Sequence, residues 1–223
     1  MPGESLALTT LKDEIFLLYR QLDGYAINVY SRDNLNEVKE VIPLPERDIY
    51  GDIYYMTGCN VSNCLYLCSR MGDFHRFGIL RISRDAEHKF NISTWKNDSG
   101  RAIIMMTVSP NGSLILLSFS ENSYVVSVCN ADGTLQYVVK LSPDIQVAFH
   151  KNGTQKSNGN LVLACVDENA LQRTLMEFDA RGNVVRQFQS SYVPGTEFDS
   201  LSLADSSDRI ITARAFEGID RAV

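Results

Sequence analysis

Apolar and polar positions follow one another in short runs along the whole chain, and no run keeps the i, i+3, i+4 spacing of an amphipathic helix. The clearest stretch covers residues 158–189. There, apolar runs at 161–166, 174–178 and 184–188 are separated by polar turns rich in Gly and Asn. The pattern predicts short β-strands joined by tight turns.

The same layout recurs at a nearly constant interval. The second strand of each repeat begins at an apolar residue, and these starts lie 47 to 50 residues apart, at Ile15, Leu65, Leu114, Leu161 and Ile210. Four strands per repeat at this period are typical of propeller blades. We therefore predict an all-β fold, a β-propeller of four-stranded antiparallel blades in one domain (1–223), with approximate blades at 5–45, 52–95, 102–141, 145–190 and 197–223.

The type of apolar run predicts which strands are covered. Residues 114–117 read Leu-Ile-Leu-Leu, as expected of a strand buried on both faces. Residues 135–140 alternate, as expected of an outer strand that is half exposed.

Composition narrows the classes of partner. The net charge of −6 and the pI of about 5.1 disfavour an RNA backbone as the main partner. The sequence has no apolar run long enough to span a bilayer and no signal peptide at its start, which predicts a cytoplasmic protein. Five cysteines are too few for a disulfide scaffold, so we expect thiols.

Three segments carry a resemblance to a known repeat. Residues 178–188, which read Phe-Asp-Ala-Arg-Gly-Asn-Val-Val-Arg-Gln-Phe, resemble the end of an NHL repeat, and residues 128–135 are similar. Residues 201–214 are similar to the first two strands of an NHL blade. The whole chain resembles the NHL-type propellers of animal tripartite-motif (TRIM) proteins and their relatives.

The resemblance implies a function without catalysis. The chain would be a protein-interaction platform that recruits a protein partner, as the substrate-recognition part of a ubiquitin-ligase-type protein, and it would be no enzyme. Two alternatives remain open: an RNA-binding NHL propeller, and a propeller enzyme of the lyase or lactonase type. The chain has neither a RING nor a B-box zinc module, and no cofactor is expected.

Catalytic and metal-binding patterns are weak. Cys59, Cys64 and Cys68, with His75 downstream, are the best candidate metal ligands, but their apolar surroundings favour buried thiols and no metal. Cys59 and Cys64 flank a four-residue turn, so a disulfide across a hairpin is the oxidised alternative. The sequence has no Gly-x-Ser-x-Gly elbow, and we assign no catalytic residue. Lactonase propellers that depend on calcium use axial Glu, Asn and Asp side chains, and the sequence alone does not locate such a set.

Two groups of residues and one histidine are candidates for binding. The aromatic residues Tyr50, Tyr54 and Tyr55 open the second repeat and are plausible hot spots. Arg70 and Arg76 belong to a locally basic segment that also holds Arg81, Arg84 and Lys89; the alternative for this segment is an ordinary solvated face. His150 follows a predicted inner strand, where it could face the propeller axis.

The repeat count predicts an open arc. Six blades at this period need about 290 residues. The sequence supplies four full repeats and part of a fifth. We therefore expect an incomplete propeller whose natural chain is longer.

Overall fold

The computed structural model describes residues 4–22, 24–44, 53–71, 76–99, 102–147, 153–167, 172–188, 196–203 and 210–216. Within these ranges the secondary structure consists of β-strands and turns, with no helix. The predicted all-β class is therefore confirmed.

The first two sheets each contain four consecutive antiparallel strands in chain order. The first sheet comprises β1 (Glu4–Leu11), β2 (Glu14–Gln21), β3 (Gly24–Ser31) and β4 (Asn34–Pro43), and the second comprises β5 (Ile53–Cys59), β6 (Cys64–Met71), β7 (Arg76–Arg84) and β8 (Phe90–Ser99).

The remaining strands continue the pattern. The third sheet comprises β9 (Ala102–Val108), β10 (Leu114–Ser120), β11 (Ser123–Cys129) and β12 (Leu135–Lys140). The fourth comprises β13 (Gln146–Val147), β14 (Gly153–Gln155), β15 (Leu161–Asp167), β16 (Gln172–Phe178) and β17 (Val184–Phe188), and the fifth β18 (Thr196–Leu203) and β19 (Ile210–Phe216). Four-stranded antiparallel sheets repeated at this spacing are the blades of a β-propeller.

The first strand of the fourth sheet differs from the sequence expectation. Four strands per repeat predict one first strand in the blade at 145–190, but two short strands, β13 and β14, pair with β15 instead. Val147 faces Cys165 and Gly153 faces Leu163, and residues 148–152 lie outside the described residues.

Burial follows the position of a strand within its sheet. Every residue of β11 is buried, whereas the outer strands β4, β12 and β17 are mostly exposed. The expected contrast between covered and half-exposed strands is therefore confirmed.

One turn type recurs at the hairpins. In the turn after β16, the Asp179 N–H donates to the Asn183 carbonyl at 3.0 Å, and the Gly182 N–H donates back to the Asp179 carbonyl at 3.0 Å. Such a turn needs one residue at positive φ, which Gly adopts without a steric penalty. Gly112, Gly133, Gly159 and Gly182 hold this position with φ between 86° and 97°, and His88 holds it in the second sheet with φ 65°.

The chain divides into two compact units, residues 1–106 and 107–223. In the first unit, side chains from the first two sheets form one core that includes Phe16, Leu18, Ile27, Leu65 and Leu80, all fully buried. The Gly58 N–H donates to Thr9 Oγ1 at 3.0 Å, so β5 lies directly against β1. In the second unit, Val162, Ala164 and Leu175 form a smaller core with Phe188 packed against it.

Candidate functional site

The strand order gives each four-stranded sheet two distinct ends. At one end of the sheet, which we call the upper end, the first and third strands begin and the second and fourth strands end. The opposite end is called the lower end. Connections between consecutive sheets, and between second and third strands, belong to the upper end. Residues 45–52, 72–75, 100–101 and 168–171 lie outside the described residues.

Three of the predicted binding residues lie at the upper end of the second sheet. Tyr54 is the second residue of β5, Arg70 lies near the end of β6, and Arg76 is the first residue of β7. Because Ile53 pairs with Ser69 and Met71 pairs with Arg76, the backbone brings these three positions together. Their role in binding stays a prediction.

Tyr55 contributes to packing between repeats. Its side chain is half-buried, and its hydroxyl donates a 2.6 Å hydrogen bond to the Ile104 carbonyl, 49 residues along the chain. This bond fixes β5 against β9 and gives the tyrosine a structural role.

Three of the residues singled out from the sequence cannot be placed in the structure. Tyr50, His75 and His150 all fall outside the described residues. His88 is described and lies in an exposed turn at the lower end of the second sheet.

The basic segment is not a uniformly solvated face. Arg84 is 21% exposed, and its guanidinium binds Glu14 at 3.1 Å and Glu40 at 3.2 Å. It also stacks on Phe90, with its Cζ 3.8 Å from the ring centroid. Lys39 forms a further ion pair with Glu14. Arg84 therefore connects the first two sheets.

Polar groups gather around two cysteines at the lower end of the second sheet. Cys59 ends β5 and Cys64 begins β6, and the two are directly opposite each other in the strand register. Ser62 Oγ lies 2.9 Å from Cys64 Sγ and 3.4 Å from the Tyr66 hydroxyl. Cys59, Cys64 and Tyr66 are completely buried.

The neighbouring groups shift the pKa values of the two thiols in opposite directions. Hydrogen bonds from Cys59, Ser62, Tyr66 and Arg81 outweigh the opposing effect of burial and lower the pKa of Cys64 to about 5. The same contact with Cys64, together with burial, raises the pKa of Cys59. These contacts favour the thiolate form of Cys64 over that of Cys59.

The other cysteines have apolar environments. Burial raises the pKa of Cys68 and of Cys165 to about 12, so both are inert thiols at neutral pH. Cys68 shares a strand face with Cys64, as expected from their spacing. No group of three or more His, Cys, Asp or Glu side chains within the described residues could hold a metal ion.

A buried ion pair in the fourth sheet was missed by the sequence analysis. Glu177 in β16 is 4% exposed, and its carboxylate accepts hydrogen bonds from Lys156 Nζ at 3.3 Å and Asn160 Nδ2 at 2.7 Å. The available signal was a charged residue inside an apolar strand. These groups are mutually satisfied, which indicates a structural role.

Within the part of the chain that the structure describes, there is no helix long and apolar enough to cross a membrane.

Comparison with known proteins identifies the fold through solved structures only. No protein-family model matches the sequence, and no curated protein matches it significantly. NHL membership therefore stays a prediction.

The structural matches are β-propellers of low sequence identity. The chain matches a calcium-binding protein, regucalcin, from Agrobacterium tumefaciens with a TM-score of 0.58 and 16% identity, over 99% of this chain and 71% of that one. It matches a gluconolactonase from Xanthomonas campestris with a TM-score of 0.51 and 11% identity, over 95% and 70% of the two chains. It matches puromycin hydrolase with a TM-score of 0.54 and 10% identity, over 94% of this chain and 42% of that one. The chain spans less than two thirds of several matched structures, including 64% of a Lactobacillus plantarum protein.

These matches correct the functional expectation. Gluconolactonase and puromycin hydrolase are enzymes, and none of the three matched proteins named above is a TRIM protein or part of a ubiquitin ligase. The prediction of a non-catalytic protein-interaction platform, and with it the prediction of no enzyme, is contradicted. The alternative of a propeller enzyme is the better supported one, while the β-propeller fold itself is confirmed.

Proposed function

We propose that this chain belongs to a β-propeller enzyme that hydrolyses a small substrate of the lactone type. The observation that carries the proposal is the match to gluconolactonase over 95% of this chain. The match to puromycin hydrolase supports hydrolysis as the reaction class. Because one fold hosts many activities, the fold alone does not establish the reaction. The proposal therefore names the residues that would contact the substrate.

The upper end of the second sheet is the proposed place of substrate contact. Lactone hydrolysis develops negative charge on the carbonyl oxygen as water attacks, and a guanidinium group stabilises such charge. Arg70 and Arg76 lie on neighbouring strands at this end, and Tyr54 is the second residue of the adjacent strand. Met71 is directly opposite Arg76, so positions 70 and 76 belong to opposite faces of the sheet. We propose Tyr54 and the two arginines as separate candidates for substrate binding, with one of the two arginines stabilising the developing oxyanion.

The proposal routes no step through a metal ion. The described residues do not assemble a group of metal ligands. Since one of the matched structures is a calcium-binding protein, the assay is run both with calcium and with a chelator.

The test is hydrolysis of a panel of lactones, including glucono-lactone, followed by a pH-indicator assay of the acid released. The native chain is expected to exceed the buffer rate for at least one lactone. One of the two variants Arg70→Ala and Arg76→Ala should lower kcat/KM roughly tenfold or more, the scale expected when a group that stabilises an oxyanion is removed.

Lys89→Ala is the matched control, since it also removes a basic side chain but lies in an exposed turn at the lower end. Its kcat/KM should equal that of the native chain. A native chain without turnover of any lactone, with or without calcium, overturns the proposal, as does equal loss of activity in Lys89→Ala.

A further inference from the structure

The strand register places Cys59 and Cys64 at positions from which a disulfide can form. The two residues are directly opposite each other in an antiparallel pair, so both side chains project from the same face of the sheet. Directly opposed residues have Cα atoms about 4.5 to 5.5 Å apart. This spacing falls within the range of about 4.4 to 6.8 Å found for disulfides.

The groups around Cys64 are those that stabilise a thiolate. Tyr66 follows Cys64 by two residues on the same strand face, and Arg81 on β7 is opposite Tyr66. Both therefore lie on the face that carries the two sulfurs, and both act to lower the pKa of Cys64. Ser62 in the turn completes the set at 2.9 Å.

Arg81 has a feature that packing does not explain. Its Nε is buried and lacks a hydrogen-bond partner among the described residues. A guanidinium held in this way is costly unless its charge is used. A thiolate at Cys64 would supply a compensating negative charge, and the interaction with Cys64 raises the pKa of Arg81.

We propose that Cys59 and Cys64 form a redox-active dithiol, in which Cys64 is the nucleophile and Cys59 the resolving cysteine, and that peroxide converts the pair into a cross-strand disulfide. The site is separate from the proposed hydrolytic activity, because it lies at the lower end of the second sheet.

The reaction proceeds in two balanced steps. The Cys64 thiolate attacks one oxygen of hydrogen peroxide and the O–O bond breaks, giving a sulfenic acid at Cys64 and hydroxide, which takes a proton from solvent. The Cys59 sulfur then attacks the Cys64 sulfur, the S–O bond breaks, and water leaves with the Cys59 proton. The two sulfurs together lose two electrons, and the peroxide is reduced to water. A small thiol reductant restores the dithiol by disulfide exchange.

The turn between the cysteines provides the access that the reaction needs. Asn60 is exposed and Val61 is 61% exposed, so the sulfurs lie beneath a surface turn at the end of a hairpin. Such hairpin ends open locally far more often than the whole protein unfolds. Peroxide is small enough to enter through that opening.

The test uses the native chain treated with hydrogen peroxide, followed by alkylation under denaturing conditions and peptide mass spectrometry. Trypsin leaves Cys59, Cys64 and Cys68 in one peptide, 48–70. The expected product lacks two hydrogens and carries one alkyl group, which fragmentation locates at Cys68. Pretreatment with a thiol reductant should restore three alkyl groups.

Variants identify the roles. Cys59→Ser should stop at the sulfenic acid of Cys64, which a 1,3-diketone probe traps, whereas Cys64→Ser should form neither product. Cys68→Ser is the matched control and should form the disulfide at the native rate. In Arg81→Met the pH midpoint of Cys64 alkylation should move up toward the ordinary cysteine value.

Several outcomes contradict the proposal. Three alkyl groups on the peptide after peroxide, or a disulfide that includes Cys68, would show that the pair is not redox-active. A native alkylation profile for Cys64 with its midpoint at the ordinary cysteine value would show that the surrounding groups do not activate it. The measurements on the native chain decide these points even where a variant fails to fold.

Discussion

Single glycines set how closely neighbouring strands approach. A Cβ added at Gly58 would lie 2.4 Å from the Thr10 carbonyl oxygen, closer than any real contact. The obstacle is backbone in β1, which cannot turn aside as a flexible side chain could. Gly58 is therefore required by packing between the first two sheets.

We expect Gly58→Ala to lower the free energy of unfolding by about 3 kcal/mol, measured by urea denaturation, because overpacking a rigid contact is destabilising. Gly159→Ala is the comparison, since its Cβ would meet nothing within 4 Å and only its φ of +86° is unfavourable. That variant should lose about 1 kcal/mol. Equal losses in both variants would contradict the packing explanation.

His88 occupies a position that glycine holds in four other turns. Its φ of 65° lies in the left-handed region, which costs a side chain roughly 1 to 2 kcal/mol. His88→Gly removes this strain but increases the entropy of the unfolded chain by about 0.5 to 1 kcal/mol. We expect a small net stabilisation, up to about 1 kcal/mol, in the urea midpoint.

His88→Val is the matched control, because a β-branched residue tolerates positive φ poorly. Its midpoint should fall below that of the native chain. A His88→Gly variant clearly less stable than the native chain would show that the exposed imidazole makes contacts beyond its turn.

Ion pairs within the β-sheets contribute differently to the stability of the fold, according to how far their side chains are buried. The Lys156–Glu177 pair, with side chains 17% and 6% exposed, joins the turn after β14 to β16. The Lys140–Glu121 pair, 58% and 83% exposed, lies in the third sheet. The Lys156–Glu177 pair is shielded from water, so removing one partner would leave the other charge poorly solvated. The Lys140–Glu121 pair is exposed, and its charges stay solvated.

We therefore expect Lys156→Met to lower the free energy of unfolding by about 3 kcal/mol. Lys140→Met should change it by less than about 0.5 kcal/mol. Chemical denaturation of both variants at neutral pH measures the difference. Equal small effects would mean that water reaches Glu177.

At the scale of the whole molecule, ion pairs between repeats make the stability of the folded state depend on pH. Burial would raise the pKa of Glu14, but hydrogen bonds and charges of Lys39 and Arg84 outweigh it and lower the pKa below the ordinary value of 4.5. A carboxyl group with a lowered pKa stabilises the folded state above its unfolded pKa. This stabilisation is lost as the pH falls through 4.5 and then through the lowered folded value.

We expect Glu14→Gln to be less stable than the native chain by about 1 to 2 kcal/mol at pH 7. The difference should shrink as the pH falls below 4.5 and vanish once Glu14 is protonated in the folded state. Glu87→Gln is the control, because its ion pair with Lys89 is exposed on both sides and should contribute nothing measurable. A difference that persists at acid pH would assign the effect to packing and not to charge.

The β-strands and their spacing were predictable because they depend on local chemistry. Alternating and continuous apolar runs, and Gly or Asn at the turns, located the second strands close to their observed starts at Glu14, Cys64, Leu114, Leu161 and Ile210. The division of the first strand of the fourth sheet into β13 and β14 escaped prediction, since the apolar pattern continues beyond Val147 as far as Phe149. Function also escaped, because the NHL resemblance rests on turn motifs that many propellers share.

The amino-acid sequence by itself determined that this protein is built from repeated four-stranded sheets, since strand periodicity and turn preferences act over a few residues. It also placed Cys59 and Cys64 on either side of one turn. Only the tertiary structure decided that Arg81 and Tyr66 surround Cys64, and that Arg84 binds Glu14, 70 residues away. These contacts depend on strand register and on the packing of one sheet against the next, which bring together residues whose spacing in the chain carries no pattern.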